Sequence, residues 1–169
     1  MSDSAADLGG YRPLTHAFRS HRNNLPKELC RMNLTLVDAF GRFGATPVQR
    51  VRGLSAIAAD GAMVLNCSQS YFAHPSPGIL RYEDRLSREP EPSKQVALLG
   101  QHLTRARDEA LPVRMVVAVA PGMKGGAASG YHVRPDLVGK VVEFDGDHFK
   151  VDFTRPVVTR PVTGPRTRR

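Results

Sequence analysis

From Leu25 onward, apolar residues recur at helical intervals: Leu25, Leu29, Met32, Leu36, Phe40 and Phe43 are separated by four, three, four, four and three positions. Asn24 stands where an N-cap belongs, Pro26 is tolerated in a first turn and Gly44 closes the run, so the pattern predicts an amphipathic helix over 24–43. A shorter helix is expected upstream over 11–22, with Leu14 and Phe18 on one face. A third follows Ser93, a capping residue, with the stripe Val96, Leu99, Leu103 and Ala106 running until Leu111-Pro112.

Other stretches read as strands. Val48 to Ala59 and Ala62 to Ser68 flank Asp60-Gly61, the dipeptide of a two-residue type I′ hairpin turn. Val113 to Ala120 is nearly continuous in apolar residues and rich in Val, as a strand buried on both faces requires, and is expected at the centre of the sheet. Tyr131 to Val133 can pair briefly before Pro135. In Val138 to Phe153, Val142 and Phe144 lead into Asp145-Gly146, after which Phe149, Val151 and Phe153 alternate with His148, Lys150 and Asp152. Pro75, Pro77, Pro90 and Pro92 punctuate the intervening stretch, which reads as a long surface excursion with a short ordered piece near Ile79 to Leu86. The fold class expected is α+β: a mostly antiparallel sheet or small, partly open barrel, with two N-terminal helices, one central helix and a disordered basic C-terminal tail. Residues 11–153 form the domain, 1–10 a disordered start and 154–169 a flexible Arg/Pro-rich tail.

Charge changes this picture. The net charge is +8, and Arg155, Arg160, Arg166, Arg168 and Arg169 supply five positive charges in a tail without an acidic residue. Residues 1–52 carry eight basic against four acidic side chains, whereas 53–153 is close to neutral. A clustered field attracts a polyanion more strongly than the same charges dispersed. The preference for Arg over Lys, with abundant Ala, Gly, Pro and Val, fits a GC-rich, bacterial-like composition; the excess of base at both ends has no such origin. No run of eighteen apolar residues exists and the first residues lack the charge and apolar centre of a secretion signal, so a cytoplasmic protein without membrane insertion is expected. Two distant cysteines, Cys30 and Cys67, indicate neither a disulfide framework nor a zinc site.

The residues suited to holding nucleic acid are Arg19, Arg22, Arg31 and Arg42 of the N-terminal helices, Tyr71, Arg81, Arg85 and Arg134 where aromatics and arginines interleave, Lys124 in a Gly-rich loop, and the tail arginines. The loop PGMKGGAASG lacks the order of a P-loop. Pro135-Asp136 with Glu143, Asp145 and Asp147 faintly follows the carboxylate pattern of metal-dependent nucleases, but Asp147 and Lys150 are three apart and fall on opposite faces of a strand. Asp145, Gly146 and Asp147 read instead as a turn, and Cys67 as a small apolar strand residue. No catalytic residue, metal or cofactor is indicated.

The segment from Val138-Gly139 to Phe153 resembles the hairpin of KOW and other SH3-like barrels, in which a Gly precedes alternating strand residues and a Gly-containing turn. The likeness spans sixteen positions and implies a nucleic-acid-associated module. The function expected is non-catalytic binding of DNA or RNA. The alternatives are a metal-dependent nucleic-acid-processing enzyme using the carboxylates near Asp136, and a protein-interaction or inhibitor module whose tail folds on an acidic protein partner.

Overall fold

The computed structural model describes residues 34–89, 93–119 and 128–156. They form eight strands in one mixed sheet and two α-helices, α1 (Leu36–Gly41) and α2 (Lys94–Asp108). The strands are β1 (Ser55–Ile57), β2 (Met63–Ser68), β3 (Phe72–Ser76), β4 (Ile79–Arg85), β5 (Val113–Val119), β6 (Gly130–Val133), β7 (Val138–Phe144) and β8 (His148–Thr154). Their order is β1-β2-β5-β7-β8-β4-β3, with β6 pairing β5 off that path. The parallel pair is β2–β5; every other pairing is antiparallel.

This corrects the expected arrangement of two N-terminal helices and a central helix. The predicted helix over 24–43 survives among the described residues only as the six residues of α1. Leu34 is extended, exchanging two backbone hydrogen bonds with Tyr131, and Thr35 has φ −71° and ψ 162°, so no helix runs through them. Thr35 begins α1 afresh, its hydroxyl accepting the Asp38 N–H. The helix expected over 11–22 lies outside the described residues. By contrast α2 starts where the stripe places it, capped by Ser93 and burying Leu99, Leu103 and Ala106.

The proline-punctuated excursion is a hairpin. Pro77-Gly78 turns with Gly78 at φ 82°, as a type II turn demands, and Pro75 sits on β3, an end strand where a missing N–H costs no ladder bond. The Asp60 turn also differs from the two-residue form: Gly61 N–H bonds to the Ala58 carbonyl, Ala58 N–H to the Ala62 carbonyl, and Gly61 at φ 83° is the residue there with positive φ. That is a three-residue loop, with the Asp60 carboxylate accepting the Ala62 N–H.

The sheet curls. Ser68 N–H at the end of β2 reaches the Tyr82 hydroxyl on β4, although these strands are not ladder neighbours. Inside the curl, Met63, Leu65, Tyr82, Met115, Val151 and Phe153 pack with the α2 stripe. A second cluster, built from Leu36, Ala39 and Phe40 with Val64 and Val116, lies on the other face of β1, β2 and β5.

Candidate nucleic-acid interface

On β4, Arg81, Glu83 and Arg85 point away from the core, opposite Asp152, Lys150 and His148 of β8, with Lys140 and Glu143 of β7 beyond. Opposite charges therefore tile this exposed face. Arg81 is bidentate to Asp152, at 2.6 and 2.8 Å, and Lys150 Nζ lies 2.7 Å from Glu143. Cross-strand pairing of this kind supports the sheet and holds both partners' charges locally. Arg81 is thus committed within the fold, and the Arg85 side chain is exposed without an ion pair among the described residues.

Tyr71 is half-buried, and one face of its ring is taken by Arg88, whose guanidinium carbon lies 3.8 Å from the ring centroid. Arg88 also pairs with Asp84, which accepts the Tyr82 hydroxyl and the Arg85 N–H. Burial pushes the Tyr82 phenol well above its ordinary range. The sequence reading did not single out Arg88, because its partner Tyr71 lies seventeen positions away in the chain and only the β3–β4 hairpin joins them.

A third cluster lies where β6 leads into β7. Arg134 binds Asp136 through Nε and Nη2 at 2.8 and 2.9 Å, and Arg155, at the end of β8, approaches the same carboxylate at 3.8 Å. The Arg134 hydrogen bond holds the Asp136 carboxyl below its usual range. Two arginines around one carboxylate leave a local excess of positive charge.

Arg42 is exposed at the end of α1. Arg50 and Arg52, which the sequence reading passed over, are exposed in the following turn and, like Arg42, have no ion pair among the described residues. Arg19, Arg22, Arg31, Lys124, Arg160, Arg166, Arg168 and Arg169 lie outside the described residues.

The carboxylates of the nuclease pattern go to separate partners. Glu143 holds Lys150 and Asp136 holds the two arginines. Asp145 accepts the N–H groups of Asp147 and His148, which lower its pKa. Asp147 accepts the Ser87 N–H and hydroxyl at 2.8 and 2.9 Å, tying the turn before β8 to the chain after β4. No group of three His, Cys, Asp or Glu is placed to hold a metal among the described residues. Cys67 is fully buried in β2, and burial raises its thiol pKa. Ser55 and His102 form a pair at 2.9 Å that sequence reasoning missed; Ser55 is 1% exposed and His102 half-buried, and the pair ties α2 to β1. An open groove of about 630 Å³ runs beside α2, with Leu86, Val96 and Phe144 among its walls and Arg105, Asp108 and Glu109 at its polar side.

No protein-family model and no curated protein matches this chain. Among solved structures the chain is similar to the SRA domain of SUVH5 crystallised with fully methylated CG DNA, at 15% identity over 68% of this chain and 74% of that one. The TM-score is 0.34, too loose a superposition to set either a fold family or a function.

Proposed function

We propose that this protein binds nucleic acid non-catalytically, gripping phosphates with the basic residues that flank its sheet domain. The observation that carries the reading is where the charge lies. The described residues hold fourteen basic and twelve acidic side chains, and Arg81, Arg88, Arg134 and Lys150 among them are committed to carboxylates. Most of the +8 therefore resides before residue 34, where the net charge is +2, and after residue 156, where it is +4 with no acidic residue. Arginines not held by intramolecular carboxylates are the ones able to release counterions from a phosphate backbone. Arg42, Arg50 and Arg52 extend that supply onto the folded surface.

The test is a gel-shift series with single- and double-stranded oligonucleotides at two salt concentrations, with and without magnesium. Salt-sensitive binding without turnover is the expected result. Loss of the oligonucleotide only when magnesium is present would establish the enzyme alternative. Absence of binding under every condition would leave the acidic-partner alternative in its place.

A further inference from the structure

Between α1 and β1 the chain makes a closed loop. A Cβ added to buried Gly53 would lie 2.5 Å from the Pro47 Cβ and 2.9 Å from the Gln49 carbonyl oxygen, so the two ends of the loop touch at its base. Only a residue without a side chain permits that approach. The base rests on α1, with Leu36 Cδ2 3.6 Å from the same position. Every residue between Pro47 and Gly53 is exposed. Val48 and Val51 are 72% and 77% exposed, the most of any large apolar residue among those described. Arg50 and Arg52 beside them have no ion pair among the described residues. The loop is a knob, apolar and cationic at once.

The groove beside α2 has the opposite character. Its apolar walls are Leu86, Val96, Ala97, Gly100 and Phe144. At the C-terminal end of α2 they give way to Asp108 and Glu109, and Asp145 and Asp147 flank Gly146 on the facing turn. Four carboxylates there meet two guanidinium groups, Arg105 and Arg107, with the His148 imidazole 3.6 and 3.8 Å from Asp145 and Asp147. Arg107 also donates to the Phe144 carbonyl at 2.8 Å, which joins the two walls. The carbonyl end of this fifteen-residue helix adds partial negative charge. An apolar channel with an acidic end is complementary to an apolar group that carries a cation. Knob and groove lie on opposite faces of the sheet, since the knob rests on α1 of the second apolar cluster whereas α2 packs in the first. One chain therefore cannot fill its own groove.

We propose that the occupant of the groove is the Val48–Arg52 knob of a second copy of this chain. Val48 and Val51 enter between α2 and Phe144, and Arg50 and Arg52 meet the carboxylates at the acidic end. Because the two surfaces differ, the contact is heterologous: every copy keeps a free knob or a free groove, and association continues beyond a dimer. So small a knob buries little area, which sets the Kd on the order of 100 µM. The contact does not depend on the nucleic-acid reading. Where both occur, phosphate and the neighbour's carboxylates compete for Arg50 and Arg52.

The experiment is sedimentation equilibrium of the full chain, free of nucleic acid, from about 10 µM to about 1 mM. The weight-average mass is expected to rise with concentration past that of a dimer, and to fall back toward the monomer in about 1 M salt. Arg50→Glu with Arg52→Glu reverses the knob, and Asp108→Lys with Glu109→Lys reverses the groove; all four side chains are exposed. Each variant alone should associate roughly tenfold or more weakly than the wild type. Mixed in equal amounts, the two should associate again, because the reversed knob suits the reversed groove, and that recovery also shows that both fold.

A wild-type chain that stays monomeric throughout would overturn the proposal. Association lost in one variant and kept in the other would identify a contact between like surfaces, and association kept in both would place the contact elsewhere; either result sinks the pairing. So would a mixture that remains monomeric while each variant unfolds at the wild-type midpoint.

Discussion

Single side chains in this protein are mostly engaged in closing the fold, and His102 shows how that engagement becomes measurable. Its Nδ1 pairs with the Ser55 hydroxyl, and burial, followed by the nearby Arg105 charge, lowers its pKa below the ordinary histidine value. The unfolded chain takes up a proton near pH 6.5, before the folded one does. Stability is therefore complete above about pH 6.5 and declines as the pH falls through that value toward the folded pKa. Urea unfolding at pH 7.5 and 5.5 should show a larger loss in the wild type than in His102→Gln; equal losses would assign the acid sensitivity to other groups. Asp147 gives a second case. Its carboxylate serves the Ser87 backbone and hydroxyl, so Asp147→Asn, which keeps an acceptor, should leave the thermal midpoint close to that of the wild type, and Asp147→Ala should lower it. Magnesium-dependent cleavage that disappears in Asp147→Asn would instead return this carboxylate to catalysis.

At the scale of elements, the sequence was readable where one periodicity dominated. The apolar stripe and Ser93 cap placed α2, and the alternation of Phe149, Val151 and Phe153 placed β8, because each pattern had a single consistent burial solution. The helix expected over 24–43 is interrupted at Leu34 and Thr35 because a bridge to Tyr131, a contact almost a hundred residues away, holds Leu34 extended, and no local pattern announces such a contact. Prolines concealed β3 because whether Pro breaks a strand depends on its being internal or at an edge, and strand order is not local information. The arginines and aromatics chosen for binding could not be sorted into committed and available without the register that sets Arg81 against Asp152 and the fold that sets Arg88 on Tyr71. Close approach of β7 to β8 supplies a test of this packing. A Cβ on Gly139 would lie 2.5 Å from Cε1 of the buried Phe153 ring and 3.0 Å from Cγ1 of Val151. Gly139→Ala should cost about 1 to 3 kcal/mol in urea unfolding, and Phe153→Leu in the same chain should recover part of that loss. A neutral Gly139→Ala would show that the two strands separate without penalty.

For the whole molecule, stability and affinity are expected to come from different parts of the chain. The sheet domain buries its apolar residues in two clusters and balances most of its charge internally, while the residues beyond 156 contain four arginines, two prolines and no acid. Such a segment offers little apolar surface with which to stabilise the fold. Deleting 157–169 leaves Arg155 on Asp136, so the midpoint of thermal unfolding should change by no more than a degree or two. The same deletion removes up to four phosphate contacts. On duplex DNA the slope of log K against log salt should then flatten by as much as about 3 to 4 units, and by less if fewer arginines engage. Binding of the full and truncated chains across a salt series, with a thermal scan of each, separates the two effects. An unchanged slope would show that the tail does not touch nucleic acid, and a midpoint lowered by many degrees would show that it packs on the sheet. A flattened slope with an intact midpoint is the outcome expected of a chain whose folded part supplies the stability and whose flanking arginines supply the affinity.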